Sequence, residues 1–119
     1  MFAKKLDCYN YGLEAEEIAL NYLLHYGYTI IAKRFKTPYG EIDLIAGKER
    51  EVIFVEVKAR RALNSQILLE IVTAKQQSRC VEAAECFLAS NTNYNDFPCR
   101  FDLIIVKDNQ VQHHIEDAW

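Results

Sequence analysis

Asp43, Glu56 and Lys58 are charged residues set in two short apolar runs, GEIDLIA and VIFVEVKAR. Apolar and polar residues alternate from Gly40 to Ile45 and again from Ile53 to Lys58. A Gly-containing polar run separates the two, which is the pattern of a β-hairpin. With Ala46–Glu51 as the turn, a symmetric register sets Asp43 opposite Glu56 and Ile45 opposite Phe54. Directly opposed side chains lie roughly 4.5–5.5 Å apart at Cβ, so two carboxylates face each other. Lys58 shares the face of Glu56 because strand side chains repeat every second residue. Ile42, Leu44, Ile53, Val55 and Val57 then form an apolar surface on the other face. Carboxylates so close repel and raise one pKa. A divalent cation between them removes that cost, and carboxylate oxygens are ligands that Mg²⁺, Mn²⁺ and Ca²⁺ prefer. The alternative is that Lys58 neutralises Glu56 in a salt bridge and Asp43 is solvated at an open sheet edge.

Other elements must bring further groups to this hairpin. Gly12–Tyr26 has helical periodicity, with Ala15, Ile18, Ala19, Tyr22, Leu23 and Tyr26 on one stripe. Asn10 is a candidate cap, and Gly27 stands where a left-handed residue closes a helix. Glu14, Glu17, Asn21 and His25 fall on the polar side. Glu16 instead projects from the shoulder of the stripe, toward whatever the helix covers. Tyr28–Phe35 reads as a strand with Lys33, Arg34 and Lys36 at its exit, either solvated or in contact with phosphate. Thr37–Tyr39, around Pro38, connects it to the hairpin.

After Arg60 and Arg61, ALNSQ is turn-like, and Ile67–Ser90 is a second helical stretch with a stripe of Val72, Gln76, Arg79, Cys80, Ala83 and Phe87. Lys75 and Arg79 lie one turn apart on or near that stripe. They could contact a phosphate or form surface pairs with nearby glutamates. Asn91–Pro98 is a loop by composition. Arg100–Val106 and Gln110–Ile115 are strands joined by a KDNQ turn. His113 and His114 are adjacent, so they point to opposite faces and read as structural or surface residues. Asp102, between apolar neighbours, is a candidate for a buried polar contact, and Trp119 for a packing anchor. The order helix, strand, hairpin, helix, strand, strand describes one mixed α/β domain over residues 1–119, with helices covering a central sheet.

A chain of 119 residues can bury a core without disulfides or structural metal. Cys8, Cys80, Cys86 and Cys99 lack C-x-x-C pairing and zinc-ligand spacing, so they read as free thiols packed as small hydrophobes. No apolar run is long enough to span a membrane. The segment MFAKKLDCYNYG has a basic pair without an apolar run behind it, so no secretory signal is expected and the expected location is cytoplasmic. The formal net charge of −3 argues against a surface that grips nucleic acid everywhere. Between Lys33 and Arg61, however, eight Lys or Arg stand against five Asp or Glu, and three of those five are Glu41, Asp43 and Glu56. A bound cation makes that region positive, and phosphate backbones respond to local charge.

Asp43 followed at a distance by Glu56-Val57-Lys58 matches the D…E-x-K signature of the PD-(D/E)XK nuclease superfamily. GLEAEEIALNYL, GEIDLIA, VIFVEVKAR, CRFDLIIV and HHIEDAW, in this order, resemble the bacterial YraN family of predicted endonucleases, related to archaeal Holliday-junction resolvases. The resemblance covers nearly the whole chain. It implies a restriction-endonuclease-like α/β fold, a mixed central sheet flanked by helices, and metal-dependent hydrolysis of phosphodiesters in branched or single-stranded DNA in preference to RNA. It further implies that Glu16 is the helix carboxylate of the site, that Asp43 and Glu56 with the Val57 carbonyl hold Mg²⁺ or Mn²⁺, and that Lys58 is the catalytic lysine. Lys33, Arg34, Lys36, Arg60 and Arg61 would hold the nucleic-acid backbone without reading sequence, joined by Lys75 and Arg79. Ile42 stands where the superfamily often has Pro, and ARRALNSQILLE lacks the Phe-Gly that the family often places after the lysine strand. A homodimer is compatible with this reading, with Leu20 and Leu24 available to an interface. A catalytically silent nucleic-acid or protein-binding module on the same scaffold is the alternative.

Overall fold

A computed structural model describes the backbone of residues 2–61 and 71–119, and the side chains from residue 11 onward within those ranges. Helix α1 spans Phe2–His25. It starts well before Asn10, which is therefore inside the helix and not its cap. Phe2, Leu6 and Tyr9 continue the helical spacing upstream, and Gly12 is the only breaker, at a cost of about 1 kcal/mol that a long helix absorbs. The end falls where expected. Gly27 is left-handed at φ 86, and the Tyr28 N–H reaches back to the Leu23 carbonyl at 3.0 Å, satisfying one of the last free carbonyls.

Among the described residues five strands follow: β1 (Thr29–Thr37), β2 (Gly40–Lys48), β3 (Glu51–Ala59), β4 (Cys99–Lys107) and β5 (Gln110–Ile115). They lie in the order β1-β2-β3-β4-β5 in one sheet. Only β3 and β4 are parallel, and the crossover between them contains helix α2 (Ala74–Ser90). The expected mixed α/β, restriction-endonuclease-like architecture is thus the fold observed. The helices cover opposite faces. Ala15, Ala19 and Leu23 of α1 pack on Leu44, Ala46, Ile53, Val55, Ile104 and Val106. Ala83, Ala84 and Phe87 of α2 pack on Ile42, Ile45, Val52 and Phe54.

From Leu44 to Lys48 the hairpin register is the expected one, with Ile45 opposite Phe54 and Leu44 opposite Val55, but Asp43 and Glu56, expected to face each other as a ladder pair, lie beyond its last pair. Its turn is tighter than Ala46–Glu51. Only Glu49 and Arg50 leave the ladder, at φ 52 and 65, a left-handed pair that usually calls for Asn or Gly. Past Leu44 the strands part: β2 keeps pairing with β1 through Phe35↔Ile42 and Lys36↔Glu41, and no longer with β3. Ile42 consequently joins Ile45 and Phe54 under α2, not Leu44 under α1 as strict alternation predicts.

Helix α2 begins at Ala74, directly after the non-helical residues 71–73. The Thr73 hydroxyl accepts from the Gln76 N–H and the Gln76 side chain accepts from the Thr73 N–H, a reciprocal cap. Ile71 and Val72 precede it as non-helical buried residues against Leu103 and Ile105. The expected turn at residues 62–66 and the helical start at Ile67 lie outside the described residues. Leu20 packs partly against the α1-side core, which leaves Leu24 as the exposed apolar residue of that pair.

At the far end of the α1 face, Asp102 is fully enclosed. It accepts from the Arg100 guanidinium at 2.9 and 3.1 Å, lies 2.7 Å from His114 Nε2, and accepts from the Asp117 N–H. His114 also meets the Tyr22 hydroxyl, while His113 is exposed, as adjacency on a strand requires. Trp119 stacks on Phe101 with ring centroids 5.6 Å apart, the anchor expected of it.

Candidate active site

The parting of β2 from β3 makes the site. Asp43 enters the wedge, and its Oδ2 accepts the Val57 N–H at 2.7 Å, a side chain standing in for a lost ladder bond. Glu56 and Lys58 follow on β3, facing α2. Lys58 Nζ lies 3.0 Å from Glu56 Oε1, and both side chains are largely covered, 16% and 15% exposed. From α2 the buried Cys80 brings its Sγ to 3.9 Å from Glu56 Oε2. The cavity around them, about 580 Å³, is lined by residues 36–41, Asp43, Glu56, Lys58, Gln76, Arg79 and Cys80. Gly40 lets β2 begin against α2, since a Cβ there would sit 2.8 Å from the Arg79 carbonyl oxygen.

Electrostatics follow from this enclosure. The Asp43 carboxyl is pushed up to about 8 by burial first and by the Glu56 charge second, against the lowering effect of the Val57 N–H and of Lys58. The Cys80 thiol is pushed up to about 12 by burial and by the same two carboxylates, so it is a neutral wall and not a nucleophile. Of the salt-bridge alternative, the Lys58–Glu56 bridge is present, whereas Asp43 is enclosed and not freely solvated.

Glu16 arrives from α1 at a second, smaller pocket of about 260 Å³ that it lines with Gly12, Leu13, Arg34, Lys36, Glu41 and Asp43. Lys36, Glu41 and Asp43 belong to both pockets, so Asp43 is reached from both faces of the sheet. Glu16 is paired with Arg34, Nε to Oε1 at 3.2 Å and Nη2 to Oε2 at 3.5 Å. Arg34 holds a left-handed φ of 51 within β1, a conformation that costs a non-glycine residue on the order of 1 kcal/mol. Asp43 and Glu56 could hold a divalent cation. Their oxygens suit Mg²⁺ or Mn²⁺, and the raised Asp43 carboxyl marks a place short of positive charge. Among the described residues no three His, Cys, Asp or Glu side chains converge closely enough to enclose an ion, because Glu16 and Glu56 are turned to Arg34 and Lys58.

The remaining basic residues divide. Lys36 and Arg79 line the main cavity, and Lys33 lines a groove with Glu16, Glu17 and Arg34. Arg60 bonds the Ala59 carbonyl, and Arg61 lies over the Tyr11 ring at 5.0 Å, both beside α1. Lys75 is exposed on α2 and lines neither pocket. Gln76 and Cys80 take wall positions of the cavity on α2 that the sequence did not assign to the site. The T-x-x-Q capping pattern would have fixed Gln76 in the first turn, whereas Cys80 carries no comparable signal.

Residues 15–106 match the model of "Uncharacterised protein family UPF0102". The chain belongs to this family. The UPF0102 protein of Nitrobacter winogradskyi is 39% identical over 115 residues, 97% of this chain and 96% of its own. That of Rhodopseudomonas palustris BisB18 is 38% identical over 116 residues, 98% of this chain and 84% of its own. A UPF0102 protein of Bradyrhizobium sp. BTAi1 is 41% identical over the same length and shares. The UPF0102 match runs from α1 to the end of β4 and so contains Glu16, Asp43, Glu56 and Lys58. It accords with the YraN-like resemblance of the motifs. Among the described residues no helix is long and apolar enough to cross a membrane.

Proposed function

We propose that this chain is a Mg²⁺- or Mn²⁺-dependent nuclease of the PD-(D/E)XK kind, acting on DNA ahead of RNA. The supporting observation is Asp43, whose carboxyl is forced up beside Glu56 in a cavity also lined by Lys36, Lys58 and Arg79. Such a cavity attracts a cation to its carboxylates and a phosphate to its cations. A divalent cation held there by Asp43, Glu56 and the Val57 carbonyl supplies Lewis acidity, neutralising phosphate charge and making water more acidic. Lys58 is the compact positive charge of the site, and its place is beside the scissile phosphate, where charge develops. The Asp43 bond to the Val57 N–H fixes the carboxylate's direction before substrate arrives. Lys36 and Arg79 on the rim position the backbone, which carries affinity without sequence readout. Leu24 and Tyr26, exposed at the end of α1, offer an apolar patch for a second copy of the chain.

The test is cleavage of a labelled panel of four-way junction, flap, single-stranded and duplex DNA, and RNA, in Mn²⁺, Mg²⁺ or EDTA, with Glu56→Ala as control. Metal-dependent cutting that Glu56→Ala abolishes is the expected result. The Lys58–Glu56 and Arg34–Glu16 bridges favour a second reading, a silent binding module whose carboxylates stay neutralised. Folded wild type that binds the panel but cuts none of it selects that reading.

A further inference from the structure

We infer that Arg34 is a phosphate-operated latch on Glu16: it keeps this carboxylate paired, and so withheld from a cation at Asp43, until a substrate phosphate takes the guanidinium. The substrate's identity rests on the nuclease reading, but the latch itself is a property of the ion pair. Four observations carry it. The first is the backbone. The β1–β2 ladder pairs Lys33 with Leu44 and Phe35 with Ile42, and between those pairs stand Arg34, left-handed at φ 51, and Asp43. A left-handed arginine inside a strand persists only where its surroundings impose it, and such places cluster at functional sites. From this position the guanidinium reaches Glu16 on α1.

The second is the geometry of the pair. Both nitrogen-to-oxygen contacts, 3.2 and 3.5 Å, use the planar fork of the guanidinium. That fork fits a phosphate as well as it fits a carboxylate, so a phosphodiester can replace Glu16 like for like. The third is exposure. The Arg34 side chain is 40% exposed and Glu16 only 21%, so an arriving anion meets the arginine first. The fourth is the shared pocket. Glu16, Arg34, Lys36 and Asp43 line the same small space, so a Glu16 released by Arg34 stays beside Asp43, where a cation would be held. A phosphate between Arg34 and Lys36 then strengthens metal binding, and by linkage metal strengthens phosphate binding. Arg34 acts on the cation through Glu16, so it is a positioning residue.

Calorimetric titration of Mn²⁺ into the full chain tests this without cleavage. Wild type, Arg34→Ala, Glu16→Gln and the double variant are titrated alone and with a hydrolysis-resistant phosphorothioate oligothymidylate. The neutral methylphosphonate analogue is the control. A partly exposed ion pair that competes with the metal makes Arg34→Ala bind Mn²⁺ about three- to fivefold more tightly. The charged oligonucleotide produces a similar gain in wild type, none in Arg34→Ala, and the methylphosphonate produces none. In the Glu16→Gln background both gains vanish. Arg34→Gly, which suits the left-handed backbone, gives the same readout should Arg34→Ala fold poorly. Unchanged Mn²⁺ affinity in Arg34→Ala and Arg34→Gly, a gain that survives Glu16→Gln, or no Mn²⁺ binding by any variant overturns the latch. Coupling without any cleavage supports the latch and rejects the nuclease reading; cleavage without coupling does the reverse.

Discussion

Asp43→Asn is expected to stabilise the metal-free protein, and to do so increasingly as the pH rises. The amide keeps an oxygen to accept the Val57 N–H, so the 2.7 Å bond that closes the wedge survives while the charge is lost. In wild type the carboxyl moves from 3.8 in the unfolded chain to about 8 in the fold, chiefly through burial and then through Glu56. A group raised on folding gives stability that is present below the unfolded value and lost as pH climbs through the folded one. At pH 7 the unfolded carboxyl is ionised and the folded one is still mostly protonated. At about 1.4 kcal/mol per pH unit the cost of that proton reaches a ceiling of about 4 kcal/mol. Partial exposure and the nearby Lys58 reduce it, and a net gain of about 1–3 kcal/mol near neutrality is expected for the variant. For a chain of this size that is a rise of roughly 4–10 °C in Tm. Urea or thermal melts in EDTA at several pH values between 4 and 9 give the answer. The two proteins should be nearly equal at pH 4 and diverge toward pH 8. A pH-independent difference, or a less stable variant near neutrality, refutes the reasoning.

Arg100→Ala leaves the fully buried Asp102 without its guanidinium and should cost about 3–5 kcal/mol in urea melts. Burial alone would raise the Asp102 carboxyl, but the bonds from His114, Arg100 and the Asp117 N–H hold it below its ordinary value. Its contribution is therefore present above the unfolded value and lost as pH falls through the lower folded one, so Asp102→Asn should flatten the stability profile below about pH 4. Phe87, 3% exposed and edge-on to Phe35 at 5.4 Å, should cost about 3–5 kcal/mol when cut to Ala, read by the same melts. Lys58→Ala should lower cleavage on the order of 10²–10³-fold while Mn²⁺ binding persists, because the lysine opposes the cation and does not hold it; single-turnover assays beside metal titration separate the two.

Alternation made the β2–β3 register legible, because one face of each strand is buried and a slip would invert it. The same rule misplaced Ile42. It assumes an unbroken ladder, and the ladder opens at Asp43. Glu49–Arg50 gave no turn signal because neither residue favours the conformation that it adopts, whereas Asp108–Asn109 at φ 52 and 59 did. Composition marked Arg34 as a phosphate contact but not as the partner of Glu16, because nothing in a sequence announces a left-handed arginine within a strand. Asp102 was legible as a buried polar residue from its apolar neighbours. Its bond to His114 depends on how β5 pairs with β4. Cys80 was read as a small hydrophobe, and its place against Glu56 follows only from the way α2 docks at Gly40.

The most direct check on a metal-centred site is calorimetric titration of Mn²⁺ into wild type and Glu56→Gln at pH 7. Binding to wild type that Glu56→Gln removes or weakens at least tenfold, with both proteins equally folded by circular dichroism, is the expected result. Equal binding by the two proteins, or none by either, contradicts the assignment of Asp43 and Glu56 as the cation's ligands.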